Sequence, residues 1–169
     1  MQPQHIEFTE IPFEQIAKIE GLWKKNRELH EHKSANFTDF FHHMTFEKRK
    51  KTLFKDDGTR FRILLAADRE SGTDVGYCVS TITADGTGEV DSLFVEKAWR
   101  GHRIGRHLME DALRWFHECD TKSVWVSVIH GNEDALGFYA AFGLFPKTHE
   151  LTFATDFIPG GSRDRTGSL

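Results

Sequence analysis

The amino-acid sequence predicts an α/β domain with a mixed, mostly antiparallel central sheet flanked by helices. Three observations lead to this fold class. Three apolar strand patterns follow one another between turns rich in Asp and Gly, which is typical of an antiparallel meander. A strand, an amphipathic helix and a further strand then alternate, which favours a parallel, right-handed crossover. Helical spacing of apolar residues near both ends completes the predicted order β-α-α-β-β-β-α-β-α-β.

The N-terminal part predicts one strand and two helices. Residues 5–11 alternate loosely between polar and apolar side chains and end at Pro12, which fits a strand. Apolar residues at helical spacing predict a helix over 12–30 and a second helix over 36–51, with the charge run 47–51 as its solvated face.

The same periodicities predict the rest of the chain. A turn around Gly58 precedes the meander, and Gly143 is a natural end for the last helix. The remaining elements are predicted as strands over 61–66 and 75–82, a strand ending at 95, a helix over 104–116, a strand over 124–129, a helix over 135–142 and a strand over 149–154.

Length and composition indicate one folded domain. The chain has 169 residues, 38% hydrophobic and 28% charged, which is ordinary for a globular protein. No internal repeat or linker divides it. We therefore predict a single domain over 1–157 and a flexible tail over 158–169, where Gly, Ser and Arg dominate.

The charge balance, the cysteines and the histidines argue against two classes of protein, nucleic-acid-binding proteins and metalloproteins. A net charge of −4 argues against nucleic-acid binding, which relies on clustered Lys and Arg. Cys78 and Cys119 lack metal-ligand spacing, and the histidine pairs 30/32 and 42/43 have no third ligand in view, so we expect no metal. No targeting segment or membrane-length apolar run is evident, so we expect a cytoplasmic protein with no membrane partner.

The stretch 91–105 carries the first functional signal. An apolar strand leads through a polar turn into Arg100, Gly101, His102 and Arg103, and then into a helix. Free backbone N–H groups and the helix dipole make such a helix start suitable for a phosphate-bearing ligand. A tight turn between two buried elements explains the same residues, and both interpretations stand on the local pattern alone.

Two motifs together resemble the GCN5-related N-acetyltransferase (GNAT) superfamily. They are L-F-V followed by R-G-H-R-I-G over 93–105, and N-E-D-A-L-G-F-Y-A-A-F-G-L over 132–144. The order of elements is similar to that family to about residue 154. The resemblance implies transfer of an acetyl group from acetyl-CoA to a primary amine, directly within a ternary complex.

The resemblance also implies a site for coenzyme A. Arg100 and Gly105 match the outer positions of the family's pyrophosphate loop, whereas Arg103 replaces its middle glycine. Arg103 adds a charge that suits phosphate, although a merely solvated role for Arg103 and Arg106 is the alternative. The residues implied to contact the coenzyme are Leu93, Phe94, Val95, Arg100, Gly101, His102, Arg103, Ile104, Gly105, Arg106, Asn132 and Tyr139.

In the family the pantetheine arm lies in a wedge between the fourth and fifth strands, opened by a bulge in the fourth. By resemblance, the backbone of 93–95 pairs with this arm, and an N–H there polarises the thioester carbonyl. Asn132 bonds the arm, and Tyr139 protonates the leaving thiolate. The alternative for Tyr139 is a core residue on an apolar helix face.

The amine must lose a proton, so a carboxylate or histidine facing the wedge is expected. Asp91 ranks first as this base, Glu89 second and His130 third; the two carboxylates share a strand face if no bulge intervenes. Simple surface solubilisation is the alternative for the carboxylates.

The acceptor is less defined. A small amine is favoured over a protein N-terminus or lysine. By resemblance, the first two helices cover the acceptor site, where their aromatic residues form either a lid or part of the core. A non-catalytic acyl-CoA-binding regulatory module is the alternative function, and pairing of strand edges makes a homodimer plausible. The aromatic residues concerned are Trp23, Phe37, Phe40, Phe41 and Phe46.

Overall fold

The computed structural model describes residues 5–154. Five strands form one sheet in the order β1-β2-β3-β4-β5, and helices cover both faces. The strands are β1 (Ile6–Ile11), β2 (Arg60–Asp68), β3 (Asp74–Ile82), β4 (Thr87–Val95) and β5 (Ser123–Val126). The helices are α1 (Glu20–Lys33), α2 (Thr38–His42), α3 (Phe46–Leu53), α4 (Ile104–Glu118) and α5 (Asp134–Ala140).

The sheet is mostly antiparallel, as predicted. The pairs β1–β2, β2–β3 and β3–β4 are antiparallel, whereas β4 and β5 are parallel and are joined through α4. One hydrophobic cluster packs α4 on one face, with Leu108 and Met109 fully buried. A second cluster packs α1 and α3 on the other face, around Trp23 and Phe46. The sheet therefore separates two cores, and residues on the two faces of β4 belong to different layers.

Two predicted helices differ from the structure. The first begins as a 3-10 helix over Phe13–Ile19 and becomes α-helical only at Glu20. The second, predicted as one helix over 36–51, is two helices separated at 43–45. The Thr45 hydroxyl accepts a hydrogen bond from the Lys48 backbone N–H at 3.2 Å and caps α3. Side-chain capping of this kind starts a new helix, and the apolar periodicity did not reveal it.

The prediction of a strand over 149–154 is wrong. Residues 144–154 adopt no helix or strand, and Leu151 is 93% exposed. Alternation of polar and apolar residues was the basis of the prediction, but a strand needs a hydrogen-bonded neighbour as well. The tail predicted over 158–169 lies outside the described residues, as do residues 1–4 and 155–157.

Candidate active site

β4 and β5 separate after four paired positions. Their register runs from Thr87↔Ser123 to Val90↔Val126, and β5 ends there. β5 was predicted to extend to residue 129, but it ends at Val126, where its pairing with β4 ends. β4 continues to Val95, so the backbone of 91–95 borders an opening where β5 no longer pairs with it. This opening is the wedge that the resemblance implied.

A bulge in β4 lies at the start of the wedge. The β3–β4 register changes from Val79↔Ser92 to Ser80↔Val90, which leaves Asp91 without a partner on β3. An extra residue of this kind bends a strand and increases its twist. Asp91 and Ser92 then both contact the layer of α1 and α3, so the bulge brings two consecutive side chains to one face.

The Asp91 carboxylate is enclosed by donors. Its side chain is 1% exposed, and it accepts hydrogen bonds from the Thr81 hydroxyl at 2.6 Å and the Lys55 ammonium at 2.8 Å. Arg49 lies 3.7 Å from the same carboxylate and donates to the Asp91 carbonyl oxygen at 2.7 Å. Asp91 thus connects β4 to β3 and to the α3 region, and its lone pairs are largely engaged.

Glu89 shares Lys55 with Asp91, so the two predicted carboxylates do come together despite the bulge. Burial, and then the charge of Asp91, raise the pKa of Glu89. The Lys55 ammonium also lies 5.7 Å from the ring centroid of Trp125. Glu89, Lys55 and Trp125 line an open cleft of about 420 Å³ beside the β3–β4 turn, together with Asp56, Thr83, Ala84, Asp85 and Thr87.

The loop before α4 shows why glycine suits its middle position. Arg103 has φ of 61° and ψ of 10°, which is the left-handed region. A side chain there is strained, whereas glycine is not. Arg103 therefore adopts the conformation that glycine would take, and its exposed side chain adds a charge directly before the first turn of α4.

The other predicted loop residues gather around the end of β4. The Arg100 Nε donates to the Val95 carbonyl oxygen at 3.0 Å, and its guanidinium lies 5.8 Å from the Phe94 ring centroid. Gly105 packs between Val95 and Phe138, since an added Cβ would lie 3.6 Å from each. The same loop carries Gly101 and His102, both exposed, and the first turn of α4 carries Arg106, which pairs with Glu110 at 2.8 Å. Ile104, at the start of α4, is buried.

Tyr139 lies on the other side of the sheet from the carboxylates. It packs against the α4-side core, where Leu93 also lies, and its ring contacts that of Phe138. Burial, and then the nearby Cys78, raise the pKa of Tyr139, so the phenol stays protonated at neutral pH. Because Cys78 on β3 pairs with Leu93, Tyr139 is close to the part of β4 that no longer pairs with β5. Tyr139 also packs in the core, which is the alternative role that the apolar helix face suggested for it.

Asn132 is held by the end of α1. Its side-chain oxygen accepts a hydrogen bond from the Lys33 ammonium at 2.8 Å, and Lys33 also reaches Asp134 at 3.0 Å. Gly131 has φ of 95°, and a Cβ there would lie 2.1 Å from the Lys33 carbonyl oxygen. The loop after β5 is therefore in close contact with the C-terminal end of α1.

The remaining candidates divide between site, core and surface. His130 is 90% exposed and pairs with Glu133, away from the wedge. Trp23 and Phe46 belong to the core, with ring centroids 5.2 Å apart. Phe37 is half-buried, Phe40 is exposed and Phe41 stacks edge-on against His30.

His30 is a half-buried titratable residue on α1 that the sequence analysis considered only as a metal ligand. Burial, followed by the charges of Arg49 and Lys33, lowers the pKa of His30 to about 4. Its spacing from Asn26 and Lys33, both polar and on one face of α1, was the signal available in the sequence.

Within residues 5–154, no three His, Cys, Asp or Glu side chains are grouped so that they could hold a metal ion. Among the helices of this part of the chain, none is long and apolar enough to cross a membrane.

Known proteins share this fold. The family model described as the acetyltransferase (GNAT) family matches residues 26–144. The crystal structure of a tetramutant of the BH1408 protein from Bacillus halodurans aligns with a TM-score of 0.64 and 19% identity, covering 87% of this chain and 99% of that one.

Two named enzymes align with similar coverage. An aminoglycoside acetyltransferase from an uncultured soil metagenomic sample has a TM-score of 0.59 and 16% identity, covering 92% of this chain and 99% of that chain. Glucosamine-6-phosphate N-acetyltransferase from Arabidopsis thaliana has a TM-score of 0.57 and 16% identity, covering 88% and 97%. At these identities the structures establish the common fold.

The fold is thus a mixed α/β domain with a five-stranded, mostly antiparallel sheet, shared with these structures. The match over 26–144 shows the family: this chain belongs to the GNAT acetyltransferases.

Proposed function

We propose that the protein transfers an acetyl group from acetyl-CoA to a primary amine of a small molecule, directly within a ternary complex. The observation that carries this proposal is the wedge itself. The β4 backbone over 91–95, which no longer pairs with β5, is bordered by a cationic loop at one end, by Tyr139 on one face and by two carboxylates on the other.

Acetyl-CoA fits this wedge as the acyl donor. Arg100 and Arg103, with the N–H groups of the first turn of α4, suit the pyrophosphate, because helix starts and guanidinium groups both favour phosphate. The backbone of 93–95 offers hydrogen bonds to the pantetheine arm as an added strand would. Asn132 becomes a partner for this arm once Lys33 gives up its contact or shares it.

The chemistry requires an acid and a base. The amine nitrogen attacks the thioester carbonyl carbon, a C–N bond forms, the C–S bond breaks, and the thiolate takes a proton from Tyr139. An N–H of the unpaired β4 backbone stabilises the oxyanion. Of the two carboxylates, Glu89 is the better candidate for the base that takes the proton lost by the amine nitrogen. Burial raises the pKa of Glu89, whereas Asp91 is engaged by Thr81, Lys55 and Arg49.

The comparisons support a small acceptor. Two structurally similar enzymes are named for sugar amines, an aminoglycoside acetyltransferase and a glucosamine-6-phosphate N-acetyltransferase. A peptide or protein amine is the alternative acceptor.

A non-catalytic acyl-CoA-binding module is the second candidate. It is favoured by one observation, the engagement of both carboxylates by Lys55, which leaves neither free in this structure to accept a proton.

Two measurements test the proposal. Isothermal titration should detect acetyl-CoA binding below millimolar concentration, and thiol release should appear with at least one member of a panel of amines, amino acids and peptides. Binding without thiol release across the panel would favour the regulatory module. Absence of binding would remove both candidates.

We further propose that the protein is a single domain over 1–157, is located in the cytoplasm and forms a homodimer. Cys78 and Cys119 are both free thiols, which supports a reducing compartment. Size-exclusion chromatography with light scattering tests the dimer.

A further inference from the structure

The Lys55 ammonium joins the two carboxylates at the point where β4 and β5 part. It donates to the Asp91 carboxylate at 2.8 Å and also to the Glu89 carboxylate. Glu89 pairs with Trp125, one position before the last pair of β4 and β5, and the ammonium lies 5.7 Å from the centroid of the Trp125 ring. The Glu89 side chain is 11% exposed. Lys55 therefore contacts the proposed base at the start of the wedge.

The two carboxylates depend on Lys55 to different degrees. Asp91 also accepts a hydrogen bond from the Thr81 hydroxyl at 2.6 Å and lies 3.7 Å from the Arg49 guanidinium. Within residues 5–154, Lys55 is the one side chain that forms a hydrogen bond or ion pair with the Glu89 carboxylate. Loss of the ammonium would leave Asp91 with two partners and Glu89 without one.

The charges around Glu89 would then favour its protonation. They lie on β4, on α3 and in the turns beside the cleft: Asp91, Arg49, Lys55, Asp56 and Asp85. Burial, and then the charge of Asp91, raise the pKa of Glu89, whereas Lys55 and then Arg49 lower it. Two neighbouring carboxylates without a shared cation favour a state in which one of them is protonated. Since Asp91 keeps its other partners, that proton would bind Glu89.

We infer that Lys55 is a positioning residue that holds the Glu89 carboxylate in the ionised form needed to accept the proton of the acceptor amine. This inference rests on the proposed function, in which Glu89 is the base. In the non-catalytic alternative the contact with Lys55 blocks Glu89, whereas here it has the opposite effect, because only an ionised carboxylate accepts a proton.

The proton balance of the step is complete with these groups. As the neutral amine nitrogen forms the C–N bond, its N–H proton passes to Glu89. The C–S bond breaks, and the sulfur takes a proton from Tyr139. Glu89 then gives its proton to solvent, Tyr139 regains one, and the products are the acetylated amine and free CoA thiol. Lys55 stays an ammonium throughout and neither gains nor loses a proton.

Three variants and a matched control test this role. Lys55→Met and Lys55→Gln both remove the positive charge, so one can replace the other if it does not fold, and Lys55→Arg keeps the charge. Lys51→Met is the control, since Lys51 is exposed in the last turn of α3. Titration of the side-chain carboxyl carbons by ¹³C NMR measures the pKa of Glu89 without any substrate, and Glu89→Gln identifies its signal. Thiol release at saturating amine gives kcat as a function of pH.

We expect the Glu89 pKa and the acidic limb of the kcat profile to move to higher pH by about one unit in Lys55→Met and Lys55→Gln, because an attractive charge is lost. On that limb the shift corresponds to about tenfold lower kcat at a given pH. Lys55→Arg should show less than half of the shift, and Lys51→Met should match the wild type.

The same Glu89 pKa in Lys55→Met and the wild type would overturn the inference. So would a loss of kcat that is equal at every pH, because it would indicate a structural role, or a shifted Glu89 pKa with an unmoved kinetic limb, because Glu89 would then not be the base. A wild-type protein without thiol release would instead overturn the proposed function itself, whatever the NMR titration shows.

Discussion

The conformation of Arg103 gives the loop before α4, the proposed pyrophosphate site, an unusual balance of strain and charge. Its φ of 61° is left-handed, and Asp120 at the end of α4 has a similar φ of 51°. A left-handed L-residue costs about 1 kcal/mol or somewhat more. Arg103 therefore keeps a strained backbone while supplying a cation that glycine would lack.

Arg103→Gly should raise the free energy of unfolding by up to about 1 kcal/mol, because the strain is relieved. The same variant should weaken acetyl-CoA binding about tenfold, the equivalent of one charge-assisted hydrogen bond. Urea unfolding and isothermal titration measure the two effects. Asp120→Gly is the control and should change stability alone. Unchanged acetyl-CoA affinity in Arg103→Gly would mean that this charge is only solvated.

Tyr139→Phe should lower turnover about 100-fold while leaving acetyl-CoA affinity nearly unchanged, because it removes the proposed acid and keeps the ring in the core. Thiol release and titration provide the measurements. The other tyrosine, Tyr77, is the control: its hydroxyl bonds Ser92 at 2.8 Å on the α1 side, so Tyr77→Phe should cost stability and much less turnover. Normal turnover in Tyr139→Phe would contradict the acid role and indicate that Tyr139 only packs in the core.

At the scale of elements, the contact between α1 and the loop after β5 shapes the wedge. Gly131 allows the loop backbone to approach the Lys33 carbonyl oxygen, and the Lys33 side chain then reaches Asn132. Helix α1 is in this way attached to the loop that carries Asn132. Displacing the loop should alter both the acceptor side and the coenzyme side of the site.

Gly131→Ala should lower the free energy of unfolding by about 2 kcal/mol or more, since it combines a backbone clash with a positive φ. It should also weaken acetyl-CoA binding by moving Asn132. Gly143→Ala is the matched control, because Gly143 has φ of 83° but nothing within 4 Å of an added Cβ. Urea unfolding and titration of both variants separate the clash from the φ strain. Equal losses in both would argue against a close α1–loop contact.

At the scale of the whole molecule, a buried ion pair connects the sheet to α4. Arg62 on β2 donates twice to Asp111 on α4, at 3.0 and 2.9 Å, and once to Glu10 on β1 at 2.6 Å. The Asp111 side chain is 8% exposed. This cluster lies on the α4 face, away from the cleft carboxylates, and we assign it to stability.

Asp111→Asn should lower the free energy of unfolding by about 3 kcal/mol, because it removes the charge of the more buried of the two carboxylates that pair with Arg62. Glu110→Gln removes an exposed pair on the same helix and should change stability by less than about 1 kcal/mol. Urea denaturation of both variants measures the difference. Similar, small effects in the two would indicate that Arg62 is well solvated without Asp111.

The sequence by itself determined the order of most elements, the two motifs and the replacement of glycine by Arg103. These depend on local spacing, in which apolar periodicity and glycine positions act over a few residues. The same local signals misjudged the end of β5 and the strand over 149–154, since a strand also depends on its neighbour.

Only the tertiary structure decided how the site is completed. The bulge at Asp91 and the pairing of Glu89 and Asp91 with Lys55 arise from contacts between distant segments. Lys33 and Asn132, for example, are 99 positions apart in the chain. Spacing along the chain does not specify such contacts, because they form only when α1 packs across the opening between β4 and β5.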